Sequence, residues 1–172
     1  MKFRMLMAVL LLAGCATAPQ QQTLRDSDIA MVMRVANLGE VREGELARTS
    51  ASAASVRDFG IMMVTEHSAQ SSKAESELAK ANIESTDTDL SRQLDAASGA
   101  AADRLRALTG AAFDRAYIDR QVDAHQSLIS LIDSRLMPSA HKKVAKDQLT
   151  ELRTLADKHL ARAKQIRDAL PR

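Results

Sequence analysis

Aromatic side chains are nearly absent from this 172-residue chain: three Phe, one Tyr and no Trp. A core must therefore be built from Ala, Leu, Ile, Val and Met. Those residues suit closely packed helices better than a sandwich or barrel, whose strands favour aromatic and β-branched side chains. Six Gly and three Pro leave little material for the many tight turns of an all-β fold. A single Cys excludes an internal disulfide. There is no block of Lys or Arg, and few aromatics on which bases could stack, so no nucleic-acid partner is expected. A Gly-rich phosphate loop, a CxxC pair and a recognisable Ser or Cys nucleophile are also missing, and no enzymatic activity is expected.

What is present begins at the amino terminus. Lys2 and Arg4 precede the apolar run Met5–Leu12, which is shorter than the roughly 20 residues a bilayer span requires. This is the layout of a signal peptide, residues 1–14. The run closes with Leu12-Ala13-Gly14-Cys15, which resembles the lipobox of bacterial lipoproteins. The resemblance implies cleavage after Gly14 and a covalent lipid on Cys15. Two or three acyl chains, at about 0.8 kcal/mol per buried methylene, anchor stably where one chain is marginal. Residues 15–25 then read as lipidated Cys plus polar spacer. By resemblance to lipoprotein sorting, Ala16 after the Cys points to the outer membrane over the inner, with the domain facing the periplasm. Loss of Lys2 and Arg4 with the leader takes the formal charge from +2 to zero.

From Asp26 onward apolar residues recur at three- and four-residue steps, the period of amphipathic helices. The spacing predicts helices over about 26–53, 55–81, 89–108, 111–136 and 140–169. Asn82 fits a left-handed helix end, Thr109-Gly110 a break, Pro138 a stop and Ser139 the next N-cap. Four long amphipathic helices and one short connecting helix bury their stripes most simply as a four-helix bundle over residues 26–170. The fold class is all-α. Met31, Met33, Met62, Met63 and Met137 match the stripes and read as core filler.

Several runs also resemble a bacterial family. They are Asn37-Leu-Gly-Glu40-Val-Arg-Glu-Gly44-Glu-Leu-Ala47, Met63-Val-Thr-Glu-His67 and Phe113-Asp114-Arg-Ala-Tyr117, with His125 and Lys158-His159-Leu160. The family is the ferritin-like domain of unknown function numbered 4142, whose members are often labelled outer membrane proteins. The resemblance implies a ferritin-like bundle and an envelope location, and carries no established activity.

Glu40, His67, His125 and His159 each interrupt the apolar stripe of a different long helix. Neutral imidazoles and a carboxylate meeting in a bundle interior are the raw material of a Zn, Cu or Fe site. A dinuclear ferritin-type centre needs Glu-x-x-His pairs on one helix face, but Val64, Val122 and Ala156 stand three residues before these histidines. With the turns placed near residue 54 and at Pro138, Glu40 lies level with His67 and Tyr117 level with His159. Asp114 is then set to form an ion pair with Arg162. His125 and His159 differ by eight residues in this register, about 12 Å at ~1.5 Å per residue. Two readings follow. The polar residues form buried hydrogen-bonded pairs, Glu40–His67 and Tyr117–His159, that fix helix register. Otherwise a subset, foremost Glu40, His67 and His125, binds a metal, which requires their imidazole nitrogens to lie closer than about 8 Å. The expected function is a non-enzymatic, lipid-anchored envelope protein acting through a protein partner, a homo-oligomer or a stress response. The alternative is a metal-binding or redox protein.

Overall fold

The computed structural model describes residues 23–171; the expected signal peptide, the expected lipidation site Cys15 and the expected spacer through Gln22 lie outside the described residues. The chain runs through α1 (Asp26–Ser50), α2 (Ala54–Lys80), α3 (Asp89–Arg106) and α4 (Gly110–Leu131). A π-helical turn (Ile132–Leu136), the short α5 (Met137–Ser139) and α6 (Lys143–Ala169) complete it. The four long helices α1, α2, α4 and α6 form an all-α, ferritin-like bundle, with α3 as the short connecting helix.

Antiparallel hairpins α1–α2 and α4–α6 make the two halves. At one end Thr86 N–H bonds to Ser27 O (2.9 Å), while at the other Asp114 reaches the α1–α2 turn. The intervening α3 therefore climbs the length of the bundle. As a result α2 and α4 run parallel, the long crossover of ferritin-like folds. α3 packs chiefly on α1. Its buried face holds only Ser91, Ser98, Ala101, Ala102 and Leu105, which keeps its contact thin.

Helix ends explain where the predicted boundaries held and where they moved. Asn82 takes φ +55° after α2, and Gly110 takes φ +59° as the first residue of α4, as their residue types predict. Pro138 does not stop the chain; it sits inside α5. A proline ring clashes with the carbonyl four residues back, and the preceding π turn widens the coil there, with Met137 N–H bonding to Ile132 O five residues earlier. Helix thus continues to Ser139, which is no N-cap, and the turn falls at Ala140–Lys142.

The N-termini of α2 and α6 begin at Ala53 and Lys142, neither of which caps with its side chain. Carboxylates from other helices do so instead. Asp114 on α4 accepts from Ser52 and Ala53 N–H at 2.9 and 2.8 Å. Asp26, opening α1, accepts from His141 and Lys142 N–H at 2.9 and 3.0 Å. Each carboxylate satisfies donors that a helix start leaves orphaned and adds favourable charge at the positive end of the dipole. The expected Asp114–Arg162 ion pair does not form: Arg162 bonds to Gln165.

The α1 and α2 backbones approach closely at Gly44 and Gly60. A Cβ on Gly60 would lie 2.7 Å from Ala47 Cβ and 2.9 Å from Arg48 N. Two apolar clusters fill the interior. One, around Ile29, Met33, Ile132, Leu136, Leu149 and Leu152, occupies the end near the α4–α6 turn. The other, around Phe59, Met63, Phe113, Tyr117, Ile118 and Ile166, occupies the opposite end. The stripes of all four long helices turn polar between them.

Candidate metal centre

Three histidines define that polar layer: His67 from α2, His125 from α4 and His159 from α6, each fully buried. Ring centroids are 5.9 Å apart for His67–His125, 5.0 Å for His67–His159 and 5.5 Å for His125–His159. One nitrogen from each ring lies within 4.8 Å of the other two, inside the 8 Å bound for sharing an ion. The expected 12 Å between His125 and His159 is therefore incorrect. The π turn and α5 move the reversal to His141, from which His125 and His159 are 16 and 18 residues away, about 3 Å of offset.

Both expected polar pairs are corrected too. The α1–α2 turn centres on Ser52, 15 residues from both Asn37 and His67. His67 accordingly pairs with Asn37, not Glu40 (Nδ1···Oδ1 2.8 Å). Tyr117 does not meet His159. Its ring stacks on Phe113 at 6.0 Å and meets Phe59 edge-on at 6.2 Å, and its hydroxyl is buried without a partner.

Each imidazole is oriented by one acceptor, which fixes where its proton sits. Asn37 donates its Nδ2 to Met33 O (3.0 Å), so its Oδ1 faces His67 and takes the Nδ1 proton. His159 donates Nε2–H to Glu66 Oε2 at 2.8 Å. His125 donates Nδ1–H to the Gln121 carbonyl at 2.8 Å. The remaining nitrogens, His67 Nε2, His159 Nδ1 and His125 Nε2, carry lone pairs. The first two face each other at 3.1 Å, and His125 Nε2 has no partner at all. Three buried acceptors thus converge with no donor among them, an arrangement that costs free energy unless a cation fills it.

Protonation is a poor remedy. Burial, reinforced by His159 and His125, holds His67 well below the ordinary histidine value. Burial also lowers His159, with Glu66 opposing and His125 adding to the depression. For Glu66, burial alone would raise the carboxyl, but Lys158 and His159 outweigh it and keep it below the ordinary range. Lys158 Nζ grips both Glu66 oxygens at 2.7 and 2.9 Å.

An ion with bonds of about 2.0–2.1 Å and tetrahedral angles needs donor nitrogens roughly 3.3 Å apart. His67 Nε2 and His159 Nδ1 already stand close to that spacing, and a small approach of His125 completes three ligands. Neutral nitrogen donors suit Zn, Cu or Fe. The outer acceptors Asn37, Glu66 and Gln121 O match the second layer that orients metal-bound imidazoles. Glu40 is buried on α1 with its Oε2 unpartnered, outside the trio of converging nitrogens. One turn on, Glu43 is fully desolvated and pairs with Arg120 Nη2 at 3.0 Å, and it also accepts from Ser98 and Gln121. Burial, then Glu40, pushes the Glu43 carboxyl up against the pull of Arg120. Burial, then Glu40 and Glu43, raises the Tyr117 phenol well above its usual value.

Asn37, Glu43 and Glu66 were not among the expected site residues, although all three stand in the runs that carry the family resemblance. Their spacing held the signal: Asn37 lies one turn before Glu40, and Glu66 adjoins His67.

The fold recurs in a solved DUF305 protein from Streptomyces coelicolor, named as a secreted protein. It is 14% identical, with a TM-score of 0.64, over 80% of this chain and 88% of that one. None of the curated proteins matches the chain. Residues 13–166 match the family described as a domain of unknown function, DUF4142, and the chain belongs to that family.

Proposed function

We propose that this protein is a lipid-anchored envelope protein whose bundle binds one first-row transition-metal ion, Zn, Cu or Fe, through His67, His125 and His159. The observation that carries the reading is the convergence of three imidazole lone pairs, each ring oriented by its own acceptor, with no donor between them. A register-fixing role alone would be served by donor–acceptor pairs, which leave no nitrogen orphaned. Full burial of the three ligands suits holding an ion rather than turning over a substrate of any size. The lipobox at Cys15 supports tethering, and the spacer gives a reach of a few tens of Å at most.

The test is elemental analysis of untagged protein after exposure to Zn(II), Cu and Fe, beside a His67→Ala/His125→Ala variant. One equivalent in the wild type and none in the variant is expected. No stoichiometric metal in the wild type overturns the reading. Tethering is tested separately: Cys15→Ser releases the protein from membranes without unfolding it, and a variant that stays membrane-bound refutes the anchor.

A further inference from the structure

A fully buried centre needs a way in. On the surface between α1, α3 and α4 lies a cleft of about 260 Å³, whose lining includes Glu40, Glu43, Ala97, Ser98, Arg120 and Ser127. Acceptors without donors lie on its inner wall, at Glu40, and just behind it, at Gln121. Glu40 is 6% exposed and its Oε2 has no partner; Gln121, fully buried beside Glu43, leaves Oε1 unpartnered as well. Glu43 is neutralised by Arg120, so the carboxylate of Glu40 is the charge left over in this cleft. Gln121 joins the cleft to the histidines: its Nε2 donates to Glu43 on the cleft wall (3.3 Å), and its backbone carbonyl accepts from His125 Nδ1 (2.8 Å).

A cavity of about 300 Å³ between α1 and α2 reaches Asn37, but the Asn37 Oδ1 there is taken by His67 Nδ1. Another approach is the groove between α2 and α6, of about 510 Å³, where Glu66 lies. There Lys158 and His159 already occupy the Glu66 carboxylate, and Lys73 and Lys158 balance Glu66 and Glu151. Glu66 moreover contacts the face of His159 remote from the converging nitrogens. That groove offers a cation no uncompensated carboxylate.

We infer that the cleft between α1, α3 and α4 is the path by which a divalent cation reaches the three histidines, and that Glu40, with Gln121 Oε1, is its transient capture site. The inference rests on the metal reading above. Glu40 supplies an uncompensated charge in a low-dielectric recess, where it concentrates cations and then passes the ion to His125 Nε2. Exposed Ala97 on α3 and Ser127 on α4 both line the same cleft.

The test is stopped-flow mixing of the full-length protein with Co(II) alone, following the visible absorption of nitrogen-bound cobalt. Glu40→Gln should slow association about tenfold or more, the lower end of charge steering, and remove most of its ionic-strength dependence. Ala97→Phe/Ser127→Phe should slow association likewise, with Co(II) affinity and melting temperature unchanged. Association at the wild-type rate in either variant overturns the path. So does Glu40→Gln weakening affinity through faster release alone, which would make Glu40 a ligand. If the unsubstituted protein develops no cobalt spectrum, the metal reading itself falls; a spectrum with unaffected rates overturns only the path.

Discussion

Replacing Asn37 with Leu tests whether the outer acceptors set the chemistry of the centre. Asn37 and His67 are both fully buried, and their 2.8 Å bond holds the His67 proton on Nδ1. Removing Oδ1 strands a buried N–H, at a cost of about 1–3 kcal/mol. The metal-free variant recovers part of that cost by moving the proton to Nε2, which can then donate to His159 Nδ1 at 3.1 Å. The recovered bond blocks the nitrogen that would bind the ion. Binding must reverse the tautomer, so Zn(II) affinity should fall about 10–100-fold, the range found when outer-layer partners of ligating histidines are removed. Chelator competition measures the affinity, and the nitrogen shifts of the His67 ring report the tautomer. Asn37→Asp, which keeps an acceptor, should retain the Nδ1 proton and most of the affinity. Affinity within twofold of wild type in Asn37→Leu, with the proton still on Nδ1, would refute the reasoning.

Asp114→Ala removes two charge-assisted bonds at the start of α2 and leaves Ser52 and Ala53 N–H unmet. Urea unfolding should show a loss of about 2–4 kcal/mol, above an ordinary capping change because the site is nearly buried. Gly60→Ala should destabilise although Ala is the better helix former by about 1 kcal/mol, since its Cβ would stand 2.7 Å from Ala47 Cβ; a higher melting temperature would contradict the close crossing. In metal-free protein, stability should fall as pH drops below about 6.5. There the unfolded chain protonates its histidines while burial keeps His67 and His159 neutral in the fold. The slope approaches about 1.4 kcal/mol per pH unit per histidine. Glu43 works with the opposite sign nearer pH 4.5, because its raised carboxyl takes up a proton more readily in the fold. A flat stability profile between pH 6.5 and 5.5 would contradict the neutral cluster.

The helices were legible because the buried residues Ile29, Met33, Ala47, Met63, Ala74 and Leu78 recur at helical spacing, and that period survives any tertiary arrangement. Ends closed by local chemistry, at Asn82 and Gly110, were legible too. The caps supplied by Asp26 and Asp114 were not, because each comes from another helix, 115 and 62 residues away. The π turn was hidden as well: it is a response of backbone geometry to Pro138, and it moved one reversal by three residues. In a hairpin, a three-residue error at the turn becomes a six-residue error in level across the pair. That error separated His125 from His159 and matched His159 with Tyr117. The four polar residues on the stripes were visible from the start, and the partners of the three histidines followed only from the corrected register.

The central claim is tested most directly by X-ray absorption at the zinc edge of protein loaded with one equivalent of Zn(II). The account predicts a nitrogen shell at about 2.0–2.1 Å with the multiple scattering of three imidazoles, lost in His67→Ala/His125→Ala. A carboxylate- or water-dominated shell, or a spectrum identical in the variant, would contradict it.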